Sequence, residues 1–231
     1  MDCEVIMEQV SADDRMRLFA FGCSADYLGE DTGSGHIAGM DLWGLTEAQL
    51  EETVIRLLKP SRVSHVQGCR ETAALLAKQF GANVQDATRA ALLHDITKAL
   101  DGPLQLVLCK AYHVELKEFS LQNPKTLHAL TGSLVAQRVF GENRAVVDAI
   151  ACHTTGKANM NLLEKIIYVA DYVEPNRNFP GVDELRSLAF TDITAALKLG
   201  LTMTVNMLQE QNREISPESV EALRFLQNAG V

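Results

Sequence analysis

Residues 90–100 read AALLHDITKAL, an alanine-rich helical run that ends on a histidine and an aspartate side by side. Ala91, Ala90 and Ala87 lie three, four and seven residues before His94, so they share its helical face. Working outward, the same kind of face recurs. His153 shares one with Ile150, Ala149 and Val146, Asp171 with Ile167 and Leu163, and His128 with Thr131, Gly132 and Val135. His65 lies beside the Val63/Val66 stripe, on the face of Cys69 and Thr72. Burying an unpaired carboxylate costs several kcal/mol, so these groups must compensate one another or hold a cation. A single histidine on an apolar face is usually a hydrogen-bonded core residue. The ordered set His65, His94-Asp95, His128, His153 and Asp171 reads instead as a metal centre.

The rest of the chain supports an all-α domain. Thr46 with Gln49 forms a capping box for a helix running to about residue 59. Pro60-Ser61 restarts the chain, a Val63/Val66/Ala73/Leu76/Phe80 stripe follows, and Gly81 ends it. Further helices are expected near 86–97, after Asp101-Gly102-Pro103, and near 126–140, 143–153, 162–174, 182–199, 200–213 and 218–229. No stretch alternates cleanly enough to demand a core strand. Residues 1–40, with CEVIMEQV and the glycine-rich LGEDTGSGHIAG, read as an appendage of short strands or partly disordered tail, in which His36 is a solvated loop residue. Residues 41–231 form the main domain.

The bulk properties narrow the function. A 231-residue chain with 47% hydrophobic residues suits one domain with an appendage. A net charge of −9 speaks against non-specific binding to nucleic acid or membrane, and no apolar run reaches the roughly 18 residues that span a bilayer. Five cysteines with no C-x-x-C pair suit reduced thiols in a cytoplasmic protein. MDCEVIMEQV has no basic n-region and no long apolar core, so no secretory signal is expected.

The order of ligands resembles the HD superfamily of metal-dependent phosphohydrolases. The segments SRVSHVQGCRETAALLAKQFG (61–81), AALLHDITKAL, LHALTGSLVAQRVFG (127–141) and AIACHTTGKANMNLLEKIIYVADYVEPNRNFPGVDELR (149–186) are similar to the YqeK-type symmetrical diadenosine tetraphosphate hydrolases. The match runs over about residues 45–225 and leaves out 1–40. It implies a helical HD domain with a short N-terminal appendage, an iron cofactor, and cleavage of the dinucleoside polyphosphate into two ADP. Metal ligands carried over are His65, His94, Asp95, His128, His153 and Asp171, with Asp95 bridging two metals. This nitrogen and carboxylate set suits iron or manganese and leaves zinc open.

A tetraphosphate needs basic groups to receive it. Arg62 lies one turn before His65, Lys125 three residues before His128, Lys98 three after Asp95, and Arg177 six after Asp171. The resemblance places Arg62, Lys125 and Arg177 at nucleotide-contacting positions, beside the metal-site residues His65, Asp95, His153 and Asp171. Thr154 and Thr155 suit phosphate hydrogen bonding, and Asp95 and Lys98 are the catalytic candidates. EISPES (214–219) resembles a segment beside the nucleoside. The family often has an aromatic or histidine before that proline, where this chain has Ser216. Ser216-Pro217 is also an ordinary helix start. A homodimer is left open, since no heptad seam marks a pairing helix. The bare ligand set also suits other HD chemistry on deoxynucleotides, guanosine tetraphosphate or cyclic dinucleotides, a di-iron oxygenase, or a nucleotide-sensing module without turnover. CHTTG and EPNR favour the dinucleoside polyphosphate.

Overall fold

A computed structural model describes residues 10–23, 36–37 and 40–228. The expected all-α fold is observed. Among the described residues two helices precede the site: α1 (Ala12–Ala20) and α2 (Glu47–Leu57). Thr46 and Gln49 form the expected capping box on α2. The helix α3 (Pro60–Phe80) starts on its proline, whose missing N–H costs nothing there, and ends at Gly81 with φ 75°. Asn83 then caps α4 (Val84–Leu93) by accepting from the Asp86 amide. This helix starts two residues earlier than expected because of that cap, and it ends before the His-Asp doublet rather than after it.

The chain continues through α5 (Gly102–Ala111), α6 (Glu118–Gln122), a 3-10 turn (Pro124–Thr126), α7 (Leu127–Arg138), α8 (Arg144–Cys152) and α9 (Leu162–Val173). The last three helices are α10 (Val182–Ala189), α11 (Ile193–Glu210) and α12 (Pro217–Asn228). Here the structure corrects the expected helices 182–199 and 200–213. The break falls at 190–192, where the Asp192 side chain accepts from the amides of Thr194 and Ala195 and starts α11. Gly200 lies inside α11, where a Cβ would make only an ordinary 3.5 Å contact with the Tyr168 ring.

Helices α3, α4, α7, α8 and α9 pack side by side. Leu76, Leu92, Leu93, Ile150, Ile166 and Tyr168 are fully buried among them. Each such aliphatic side chain contributes on the order of 1.5–3 kcal/mol by leaving water, a reserve against the polar groups buried in the same core. Arg89 and Glu142 form a buried, two-pronged pair with N–O distances of 2.6 and 2.8 Å, and Arg89 also donates to the Leu45 carbonyl at 2.7 Å. This ties the entry to α2 to the α7–α8 loop.

Most of the expectation for residues 1–40 lies outside the described residues. Within them, α1 joins the main core through Leu18, with Phe21 beyond its end, and Tyr112 donates to the Phe21 carbonyl at 2.6 Å. His36 lies not in a loop but in a two-residue strand, His36–Ile37, paired antiparallel with Met40–Asp41. No helix among the described residues is long and apolar enough to cross a membrane.

Candidate metal centre and adjoining cleft

The His-Asp doublet sits in a tight turn at the end of α4. Bonds from the Ile96, Lys98 and Leu100 amides to the carbonyls three residues back hold this turn. Two adjacent side chains can thus both be enclosed, with His94 1% and Asp95 0% exposed. A buried network secures the turn from below. Thr97 Oγ1 donates to the His128 carbonyl at 3.1 Å, Thr131 Oγ1 to Gln105 Oε1 at 2.6 Å, and Gln105 Nε2 to the Thr97 carbonyl at 2.6 Å. Gly132 allows α7 to approach, since a Cβ there would lie 3.3 Å from the His94 carbonyl.

All four histidines are oriented in one way. His94 Nδ1 faces the Ala91 carbonyl at 2.6 Å, His128 Nδ1 that of Lys125 at 2.7 Å, and His153 Nδ1 that of Ile150 at 2.7 Å. A carbonyl only accepts, so each Nδ1 carries the hydrogen and each Nε2 presents its lone pair. His65 follows the same rule with a carboxylate, as Glu174 Oε1 lies 3.1 Å from its Nδ1.

Asp95 divides these lone pairs into two groups. Its Oδ2 lies 3.7 Å from His65 Nε2 and 3.5 Å from His94 Nε2. Its Oδ1 lies 3.4 Å from His128 Nε2 and 3.7 Å from His153 Nε2. Asp171 joins the first group, with Oδ1 3.1 Å from His65 Nε2. Two acceptor atoms at that distance need a proton or a metal cation between them. His94 Nε2 and Asp95 Oδ1 are buried and have no hydrogen-bond partner among the described residues, Lys98 Nζ standing 3.4 Å from Asp95 Oδ1 as an ion pair. Such orphans are costly in a core, and a cation answers both. The donor set therefore fits divalent metal.

The electrostatics agree. Burial, with the His153 and His65 rings nearby, holds His94 well below the usual histidine range. Burial and the Lys98 charge do the same to His128, and burial brings His153 down to about 4. All three are neutral at physiological pH, the form that ligates metal. Burial opposes ionisation of Asp171, but its charged surroundings, Arg177 among them, keep the carboxylate well below its ordinary value.

Four expected basic residues separate into two kinds. Arg62 pairs with Asp95 and Arg177 with Asp171, the latter also donating from Nε to the Asp171 carbonyl at 2.8 Å. Lys98 Nζ lies 2.9 Å from His128 Nε2, and burial pushes it down to about 8. Thr154 Oγ1 stands between the second pair, 3.0 Å from His128 Nε2 and 3.1 Å from His153 Nε2. Lys98, His153, Thr154, Asp171 and Arg177 open onto a cleft of about 650 Å³, walled on its far side by Tyr172, Phe179 and Met207. Lys125 is exposed and does not line this cleft; its carbonyl, not its ammonium, meets His128. Ser216 is buried in the wall of a separate 260 Å³ cleft, where it caps α12 by accepting from the Glu218 amide at 3.2 Å. Thr155 lines that second cleft too.

Two features escaped the sequence reading, and a third, Cys69, was read there only as a neighbour on the face of His65. Glu174, 1% exposed, orients His65, and its other oxygen accepts from the Asn176 amide at 2.7 Å and side chain at 2.9 Å. Its signal was an acid three residues after Asp171, on the same side of the end of α9. Cys69 lies beside the first group, with Sγ 3.6 Å from His65 Nε2. Tyr172 and Phe179 meet edge to face, with ring centroids 6.1 Å apart.

Comparison with known proteins places this geometry. The HD domain family model matches residues 62–176. The chain is 39% identical over 172 residues to a symmetrical bis(5'-nucleosyl)-tetraphosphatase of Bacillus subtilis (strain 168), covering 73% of this chain and 91% of that protein. The same name and identity hold for a Halalkalibacterium halodurans protein over 171 residues, covering 72% and 91%. A crystal structure from Clostridium acetobutylicum, described as a predicted HD superfamily hydrolase involved in NAD metabolism, superposes with a TM-score of 0.77 at 34% identity, covering 80% of this chain and 98% of that one. The chain belongs to the HD-domain family of symmetrical bis(5'-nucleosyl)-tetraphosphatases.

Proposed function

We propose that this chain hydrolyses diadenosine tetraphosphate symmetrically, releasing two ADP, at a centre where His65, His94 and Asp171 on one side of Asp95, and His128 and His153 on the other, would hold two cations. The observation that carries this reading is the division of Asp95 between the His65/His94 and His128/His153 pairs. Asp171 completes the first pair. Iron is the cation we assign, and manganese or zinc suits the same donors. Bound cations would supply a nucleophilic hydroxide at neutral pH and charge stabilisation at phosphorus.

The chain's own residues do the rest. The Nδ1 bonds to Ala91, Lys125, Ile150 and Glu174 keep all four Nε2 atoms pointing inward. Arg177 and Lys98 line the cleft and present positive charge to the polyphosphate. Arg62 sits on Asp95 and moderates its charge. Lys98 keeps a proton at Nζ beside the charge that builds on the departing phosphate, and ADP leaves without a stronger acid. Thr154 Oγ1 has a hydroxyl to offer a phosphoryl oxygen. Tyr172, Phe179 and Met207 form the apolar wall for an adenine base. We assign residues 41–231 to the HD domain and the protein to the cytoplasm.

The test is product identification from diadenosine tetraphosphate with protein loaded in turn with Fe²⁺, Mn²⁺ and Zn²⁺. ADP as sole nucleotide product is expected. AMP with ATP, or no cleavage alongside turnover of a cyclic dinucleotide, would overturn the reading.

A further inference from the structure

The two halves of the centre differ in what faces their nitrogen lone pairs. In the first half, His65 Nε2 faces the carboxylate oxygens of Asp171 at 3.1 Å and Asp95 at 3.7 Å. His94 Nε2 faces no hydrogen-bond partner among the described residues. In the second half, donors stand at both lone pairs. Lys98 Nζ lies 2.9 Å from His128 Nε2, and Thr154 Oγ1 lies 3.0 Å from that atom and 3.1 Å from His153 Nε2. An ammonium has no lone pair, so Lys98 donates to His128, and the single hydroxyl hydrogen of Thr154 is left for His153. An imidazole Nε2 has one lone pair, which accepts from Lys98 or binds a cation but cannot do both. A carboxylate oxygen has two, so the arginines paired with Asp95 and Asp171 can stay when a cation arrives. Thr154 needs only to rotate its hydroxyl hydrogen. Lys98 is the group that must move, and it has room to do so. Its backbone amide is held to the Asp95 carbonyl at 2.9 Å, but its side chain is 37% exposed and lines the larger cleft.

We propose that the two halves fill in order and that Lys98 sets the order. The first cation enters the half formed by His65, His94 and Asp171, where no donor has to leave. The second must take the His128 lone pair from Lys98, and it binds more weakly by that displaced hydrogen bond. The released ammonium turns into the cleft, toward the polyphosphate. An anion in the cleft and a cation at His128 and His153 thus favour each other, and the coupling is reciprocal. The proposal rests on the two-cation reading, and the experiment separates the two.

The full-length chain, stripped with chelator, is titrated with Mn²⁺, and the free ion is counted by its electron paramagnetic resonance signal. The wild type is expected to show two binding events of unequal affinity. Lys98→Met keeps the length of the side chain and removes the donor. It should tighten the second event roughly tenfold or more, on the scale of one hydrogen bond to a charged group, and affect the first far less. Lys98→Arg keeps a donor and should keep the second event weak. Inorganic phosphate should tighten the second event in the wild type, and less so in Lys98→Met. Equal events in the wild type, a second event unchanged or weakened in Lys98→Met, or both events tightening alike would overturn the role of Lys98 and leave two cations standing. The same gain from phosphate in both proteins would overturn the coupling. A single event at saturation in the wild type would remove the two-cation reading and the proposal with it.

Discussion

Glu174 accepts the Nδ1 hydrogen of His65 at 3.1 Å from a position 109 residues away in sequence, at the far end of a neighbouring helix. The bond selects the His65 tautomer and raises the basicity of its Nε2, as carboxylates behind ligand histidines do in metal sites. Glu174→Gln keeps the shape and an acceptor but removes the charge. Metal affinity, measured by competition with a fluorescent chelator, is expected to fall roughly 10–100-fold, with the far-ultraviolet circular dichroism unchanged. Unchanged affinity would mean that Glu174 only packs.

Gly68 is the counterpart on α3. A Cβ there would collide with Glu174 Oε2, so Gly68→Ala must push the carboxylate away. A stability loss of about 1–3 kcal/mol is expected from overpacking, read by urea melting. Metal affinity should fall as in Glu174→Gln. The two changes act on one contact, so the double variant should bind metal no worse than the weaker single one; full additivity would separate the two effects.

Metal should stabilise the fold strongly, since it satisfies His94 Nε2 and Asp95 Oδ1. Each site held at 100 times its dissociation constant contributes about 2.7 kcal/mol. Thermal melting with excess Mn²⁺ against excess chelator should show a clear upward shift in wild type, and a smaller one in Asp95→Ala. Equal shifts in both would place the cation elsewhere.

Away from the site, Arg89 and Glu142 provide a stability test. Among the described residues, Glu142→Ala leaves the buried Arg89 guanidinium with only the Leu45 carbonyl as partner. The expected cost is about 3–5 kcal/mol, measured by urea unfolding, with turnover per folded molecule unaffected. A cost below about 1 kcal/mol would show that Arg89 finds solvent.

The residues that the structure gathers were legible where helical periodicity places side chains. His65, His94, His128, His153 and Asp171 each shared a face with small or aliphatic neighbours, and those faces converge. Arg62 and Arg177 were legible as neighbours of ligands, and they sit on Asp95 and Asp171. The same reasoning named Lys125, whose side chain is exposed and outside the lining of the cleft. Three residues from His128 put it on a 3-10 turn whose carbonyl, not ammonium, faces the imidazole. Ser216 was read by likeness to a segment, and the separate cleft it lines depends on how α12 packs. Glu174 and the aromatic wall depend on contacts between α3, α9 and α11 that no local spacing encodes. The break expected between residues 199 and 200 falls at 190–192 instead, where the Asp192 side chain starts α11.

The central claim is that Asp95 serves two cations at once, and metal counting tests it directly. Protein loaded anaerobically with Fe²⁺, freed of excess metal and analysed by inductively coupled plasma mass spectrometry, should carry two irons per chain. The His128→Ala/His153→Ala double variant, which keeps the first group intact, should carry one. A single iron in the wild type, or an unchanged count in the double variant, would contradict the bridging role of Asp95.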